Sequence, residues 1–163
     1  MDILTHMFLP LLMLQAMGVK IDRRILFLTI FSILPDFDVI FGIHRSYFHS
    51  FLFVILLLFV STYVKREYTK YIAFFILSHL FLDFLDGGFP FLYPIIKYGY
   101  GMNIKLLINF KTPDFDFILD IAKYYPSSIH GDYTTFDNKG LVIALAFLAP
   151  NLLKQGKIYK LFS

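Results

Sequence analysis

The sequence predicts an all-α membrane protein: a multipass transmembrane helical bundle of four to five spans with an additional interfacial helix. Three observations predict it. The 163-residue chain is 58% hydrophobic and carries 21 phenylalanines, with a mean hydropathy of +0.66. An ordinary globular chain is about 45–50% apolar, and one of this length has too little interior to hide the excess. The apolar residues also fall in runs close to the ~17–25 residues of a spanning helix. Finally, Lys and Arg gather at alternate ends of those runs, as the positive-inside rule requires. The length fits a single integral-membrane domain over residues 1–163.

The first span is placed at about 4–19, apolar except for Thr5, His6 and Gln15. Its positive charges, Lys20, Arg23 and Arg24, follow the apolar run, whereas a signal peptide carries them in front. The second span covers about 25–43, with Pro35, Asp36 and Asp38 in its second half. A proline there frees a backbone carbonyl and can kink the helix beside two carboxylates. His44 and Arg45 form a tight turn into a third span at about 47–64. Lys65, Arg66, Glu67 and Lys70 make a second basic turn, and a fourth span at about 71–86 ends in His79, Asp83 and Asp86 before Gly87 and Gly88.

The rest is mixed. Thr112, Pro113 and Asp114 read as an N-cap, a proline in the first turn and an early acid. They predict an interfacial helix from about Pro113 to Tyr124, with Asp114 and Asp116 as capping residues. Residues 127–138 are rich in turn formers, and His130 beside Gly131 and Asp132 reads as a loop histidine. A final apolar helix at about 141–153 is short for a span.

Charge orients the bundle. The two basic turns and the tail carry Lys20, Arg23, Arg24, Lys65, Arg66, Lys70, Lys154, Lys157 and Lys160 against two acids, Asp22 and Glu67. The opposite side holds six Lys/Arg against ten acids. Five spans with the N-terminus outside fit that bias in an integral inner membrane. The formal charge of +3 without a patterned basic face speaks against nucleic-acid binding. The absence of cysteine excludes disulfides and thiolate ligands.

The same threading gathers the ionisable residues. His6, Asp36, Asp38, His44, Arg45, His49, His79, Asp83 and Asp86 all fall at the end away from the basic turns, on the extracytoplasmic side. Ionisable groups beside apolar runs are expensive and default to function. His79 and Asp83, four apart, share a helix face. His6, Asp36, His44 and His49 offer further metal ligands. A donor set of imidazole and carboxylate suits Zn²⁺ first, then Mn²⁺ or Fe²⁺, over Ca²⁺. A divalent metal with an open position makes a nucleophile of bound water near neutral pH. Arg45 could clamp a phosphate or an oxyanion. Asp38 or Asp86 could act as general base.

Four motifs occur in order over the first hundred residues: Thr5-His6, Leu34-Pro-Asp-x-Asp38, His44-Arg-x-x-x-His-Ser50, and His79-x-x-x-Asp83 with Gly87, Gly88 and Pro94 after it. In this order they resemble the membrane-bound metal-dependent hydrolases, also described as LexA-binding, inner-membrane-associated hydrolases. Ser46 and Phe48 depart from the Gly and Thr usual between the two histidines of that family. Its Asp-x-x-Thr-Pro exit reads Asp83-Phe-Leu-Asp86-Gly87 here. The resemblance implies a multipass membrane protein with a divalent-metal hydrolase site. The expectation is therefore a metal-dependent hydrolase acting on a phosphoester or lipid-like substrate near the extracytoplasmic interface, with membrane lipid as partner. The alternative is a non-catalytic membrane protein whose cluster binds a structural metal or forms a proton or ion path.

Overall fold

The computed structural model describes residues 2–109, 114–126 and 137–161. Helix α1 runs Ile3–Ala16 and α2 runs Arg23–Leu28. Two 3-10 segments follow, Thr29–Ser32 and Leu34–Phe41. Helix α3 runs Phe51–Leu85, strands β1 and β2 cover Gly99–Asn109 and Asp114–Tyr124, and α4 covers Asn138–Leu161.

This corrects the predicted fold class. The chain is not a multipass helical bundle: among the described residues no helix is long and apolar enough to cross a membrane, and an antiparallel hairpin stands among the helices. The reasons are local. At 1.5 Å per residue the 14 residues of α1 rise about 21 Å, short of the ~30 Å hydrocarbon core. The expected second span keeps α-geometry for only six residues. Thr29 and Ser32 turn their hydroxyls back onto the carbonyls of Leu26 and Thr29, both at 2.7 Å, a bond that competes with regular helix. Pro35 then removes a backbone donor, and the chain continues as tighter 3-10 turns. The expected third and fourth spans are joined in α3, but Lys65 is extended (φ −162°, ψ 90°) and breaks it at the charged Lys65–Lys70 stretch. The assignment of the site to the extracytoplasmic side rested on threading those spans.

The predicted interfacial helix is also corrected, to strand β2. Asp114, Phe115, Asp116 and Phe117 alternate polar and apolar with a period of two, which is strand patterning, and β1 supplies the partner. The register pairs Gly99 with Tyr124 and Asn109 with Asp114. His130 lies outside the described residues, as does most of the predicted loop around it.

The core forms where α1, α2, the 3-10 segments and both halves of α3 meet. Leu11, Leu14, Ile25, Leu28, Val54, Phe75, Ile76 and Leu80 are buried together, each fully buried side chain being worth ~1.5–3 kcal/mol. Helix α4 lies along α1, with Phe147 tilted against Phe8. The foot of the hairpin is pressed onto the exit of α3: a Cβ at Gly101 would overlap the backbone of Gly87 and Gly88. Both α3-exit glycines have positive φ, 105° and 100°, a region glycine enters without steric cost. This close approach brings β1 and β2 to the end of the bundle where the titratable residues converge.

Candidate metal centre

Each element delivers its residue for a recognisable reason. Asp2 caps α1 by accepting from the Thr5 amide at 3.2 Å, which starts the helix so that His6 falls on the buried face. The Leu34–Phe41 segment has about three residues per turn. It turns Pro35, Asp36 and Asp38 inward and leaves Phe37, Val39, Ile40 and Phe41 exposed. Gly42, with φ 71°, ends it. Ser50 caps α3 by accepting from the Leu52 amide at 3.2 Å, and this places His49 immediately before the helix. His79 and Asp83 lie four residues apart on the buried face of the second half of α3, on the side of Phe75, Ile76 and Leu80.

Ligand-type atoms from these elements gather in two overlapping triads, Asp36–His49–His79 and His6–His79–Asp83, each with its atoms within 4.8 Å of one another. Nε2 of His49 and Nε2 of His79 are 3.1 Å apart. Asp83 Oδ2 is 3.0 Å from the first and 3.3 Å from the second. Asp36 Oδ1 is 3.8 Å from His49 Nε2 and 3.7 Å from His79 Nε2. Ligands 2.0–2.2 Å from a tetrahedral Zn²⁺ stand roughly 3.3–3.6 Å from one another. His6 approaches from the other side of Asp83, with Nε2 at 3.6 Å from Oδ1, and its ring stacks on His79 at 3.9 Å between centroids.

The outward nitrogens are fixed by their partners. His79 Nδ1 lies 2.5 Å from the carbonyl oxygen of Ser32. A carbonyl only accepts, so Nδ1 carries the hydrogen and the neutral ring presents a lone pair at Nε2. His49 Nδ1 donates likewise to Asp38 Oδ2 at 2.8 Å, and Asp38 is itself held by the amides of Ser46 (2.6 Å) and Phe48 (2.8 Å). A histidine that donates one ring N–H to a carboxylate or carbonyl and turns the other nitrogen inward has the outer-shell arrangement of metal-ligating imidazole. Asp36 completes the fit. It is buried, and its Oδ2 makes no hydrogen bond, a costly state for a carboxylate unless a cation compensates it. The donor set, nitrogen and oxygen without sulfur, matches Zn²⁺, Mn²⁺ or Fe²⁺.

The other predicted residues stand around this point. His44 packs edge-on to His49 at 5.4 Å and lies outside the converging ligand atoms. Burial, with the neighbouring His49 adding repulsion, pushes its imidazole down to about 4. Arg45 is turned inward rather than toward a ligand. Its guanidinium donates to the carbonyls of Asp86 (2.9 Å) and Gly88 (3.1 Å) and to Asp83 Oδ1 (2.7 Å). Asp38 stands behind His49, fully buried. Asp86 reaches solvent, its side chain 47% exposed and 3.5 Å from Arg45.

Two further groups were not legible beforehand. The Ser32 carbonyl orients His79, and a backbone acceptor leaves no trace in residue type. Tyr124, at the end of β2, donates to the His44 carbonyl at 3.3 Å, and burial raises its phenol above the ordinary range. A hairpin reading of residues 99–124 could have brought it to the site.

The chain belongs to the YdjM inner membrane protein family, whose profile matches residues 1–157. It is thereby placed among inner-membrane proteins. No curated protein and no solved structure matches it.

Proposed function

We propose that this inner-membrane protein is a metal-dependent hydrolase acting on a phosphoester or lipid-like substrate. The observation that carries the reading is the convergence of Asp36 Oδ1, His49 Nε2, His79 Nε2 and Asp83 Oδ2. These four residues would hold a divalent ion, Zn²⁺ by preference. Bound there, the ion would supply a Lewis acid and lower the pKa of a water. The protein does the rest. Asp38 and the Ser32 carbonyl fix both imidazole tautomers. The buried walls exclude bulk water, which strengthens every charge interaction inside. Asp86, half-exposed and paired with Arg45, would take the proton from an attacking water. A lipid-like substrate is supported by the Leu34–Phe41 segment, which turns its carboxylates to the site and exposes Ile40 (75%) and Phe41 (56%) on its outer side.

The test is metal analysis of the detergent-purified protein with a phosphoester and phospholipid hydrolysis screen. Wild-type protein is expected to carry the ion and to hydrolyse at least one substrate. Asp36→Ala and His79→Ala are expected to lose both. Unchanged metal content in both variants would sink the reading.

A second reading is favoured by one observation. His49 and His79 are 0% exposed and Asp83 1%, and ligands closed off from water in this way are the mark of structural sites. A structural centre of this kind would bind the ion and gain thermal stability from it, with no hydrolysis of any ester in the screen.

A further inference from the structure

Asp83 has two faces. Its Oδ2 looks at His49 and His79, at 3.0 and 3.3 Å. Its Oδ1 looks the other way, at His6 Nε2 (3.6 Å) and at one guanidinium nitrogen of Arg45 (2.7 Å). That same nitrogen lies 3.5 Å from Asp86 Oδ2. It therefore sits between two carboxylates, one of which also faces the His6 imidazole, a ligand set that would otherwise suit a second divalent ion bridged to the first by Asp83. Two-metal hydrolytic sites place their ions about 3.5–4 Å apart across such a carboxylate. Arg45 is held in this place firmly. It is 8% exposed and its other terminal nitrogen binds the carbonyls of Asp86 and Gly88. Its backbone adopts φ 53°, a left-handed conformation uncommon for a residue with a side chain.

We propose that Arg45 is a positioning residue standing where a second metal ion would be. Its guanidinium fixes Asp83 with one oxygen toward the His49–His79 pair, and its permanent charge limits the pocket to a single divalent ion. Arginine suits this because it keeps its charge when buried and its planar fork reaches several acceptors at once. The inference rests on the metal reading above and deepens it from a site to a stoichiometry.

The experiment is equilibrium Zn²⁺ binding by the purified full chain, with metal content by mass spectrometry and affinity by competition with a chelator. Wild-type protein is expected to saturate at one ion per chain. Arg45→Lys keeps the charge and loses the fork. It is expected to stay at one ion, with affinity lower by about 10-fold, the low end for losing an outer-shell partner. Arg45→Met removes the charge and is expected to admit a second ion, which Arg45→Met combined with His6→Ala does not bind. Far-UV circular dichroism checks that each variant is folded. Should Arg45→Met not fold, the wild-type and Arg45→Lys stoichiometries still decide. Two ions in wild-type or Arg45→Lys protein would overturn the inference and leave the metal site standing. A folded Arg45→Met that binds one ion with wild-type affinity would overturn it as well. No bound ion in wild-type protein would instead remove the metal reading itself.

Discussion

His49 and His79 point their Nε2 atoms at each other across 3.1 Å, while each ring's Nδ1 is engaged behind it, by Asp38 and by the Ser32 carbonyl. With each Nδ1 hydrogen so engaged, the two rings in their neutral form present two lone pairs to each other. That arrangement is repulsive unless a cation, either a proton or a metal ion, lies between them. Asp36 Oδ1 and Asp83 Oδ2 each stand within 3.8 Å of both nitrogens.

Asp38→Asn should weaken metal binding without removing a ligand. The carboxylate accepts from the Ser46 and Phe48 amides and from His49 Nδ1, and an amide group offers one acceptor oxygen and two N–H donors in its place. A donor would then face a donor. The expected loss is about 10–100-fold in Zn²⁺ affinity, read by chelator competition. Wild-type affinity in a folded Asp38→Asn protein would contradict the orienting role.

Metal removal should lower thermal stability. An ion that binds only the folded chain stabilises it by about 2.7 kcal/mol at a hundred times its Kd. The melting temperature in detergent is expected to rise with added Zn²⁺ and fall with a chelator, and Asp36→Ala should abolish the difference. Equal melting temperatures with and without metal would count against the site.

The pH dependence of stability should carry a His44 contribution. Its folded pKa is depressed to about 4 from the usual ~6.5 of an unfolded chain. Between those values the unfolded chain binds more protons than the folded one, so stability rises with pH. The contribution is complete above about pH 6.5 and is lost as pH falls toward 4. His44→Phe should flatten the stability curve in that window by less than one proton's slope, ~1.4 kcal/mol per pH unit, since the ring is partly open to solvent. An unchanged slope in the variant would refute it.

Gly101→Ala should loosen the hairpin from the site. A Cβ there would meet the Gly87 and Gly88 backbone, and Gly88 supplies a carbonyl to Arg45. Hydrogen exchange of the Gly87 and Gly88 amides is expected to speed up, whereas Gly42→Ala, with open space around its Cβ, should leave those amides protected. Equal protection in Gly101→Ala would show that the hairpin foot does not brace the exit of α3.

Much of the candidate site could be read from sequence, and less of the fold. His79 and Asp83 share a face whenever their segment is helical, so their pairing needed only spacing. Asp36 and Asp38 stood out because acids inside an apolar run are expensive. Their division of labour was hidden, since it depends on the chain leaving α-geometry at Thr29, where hydroxyl back-bonding and Pro35 tighten it into 3-10 turns. Arg45 reads as a free phosphate clamp in sequence, and only the packing of Gly88 beneath it reveals carbonyls already within its reach. The spans failed for a physical reason too. Hydropathy counts apolar residues but does not register the extended Lys65 that breaks α3. At Asp114–Phe117 a capping signal and a period of two compete over the same four residues, and pairing with Gly99–Asn109 decides for the strand.

The most direct test of the metal centre is X-ray absorption at the zinc edge on the loaded full-length protein. The structure predicts a first shell of nitrogen and oxygen only, at about 2.0–2.2 Å, with outer-shell scattering from two imidazoles, one of which disappears in His79→Ala. A zinc shell of water oxygens without imidazole scattering, or a spectrum unchanged in His79→Ala, would contradict it.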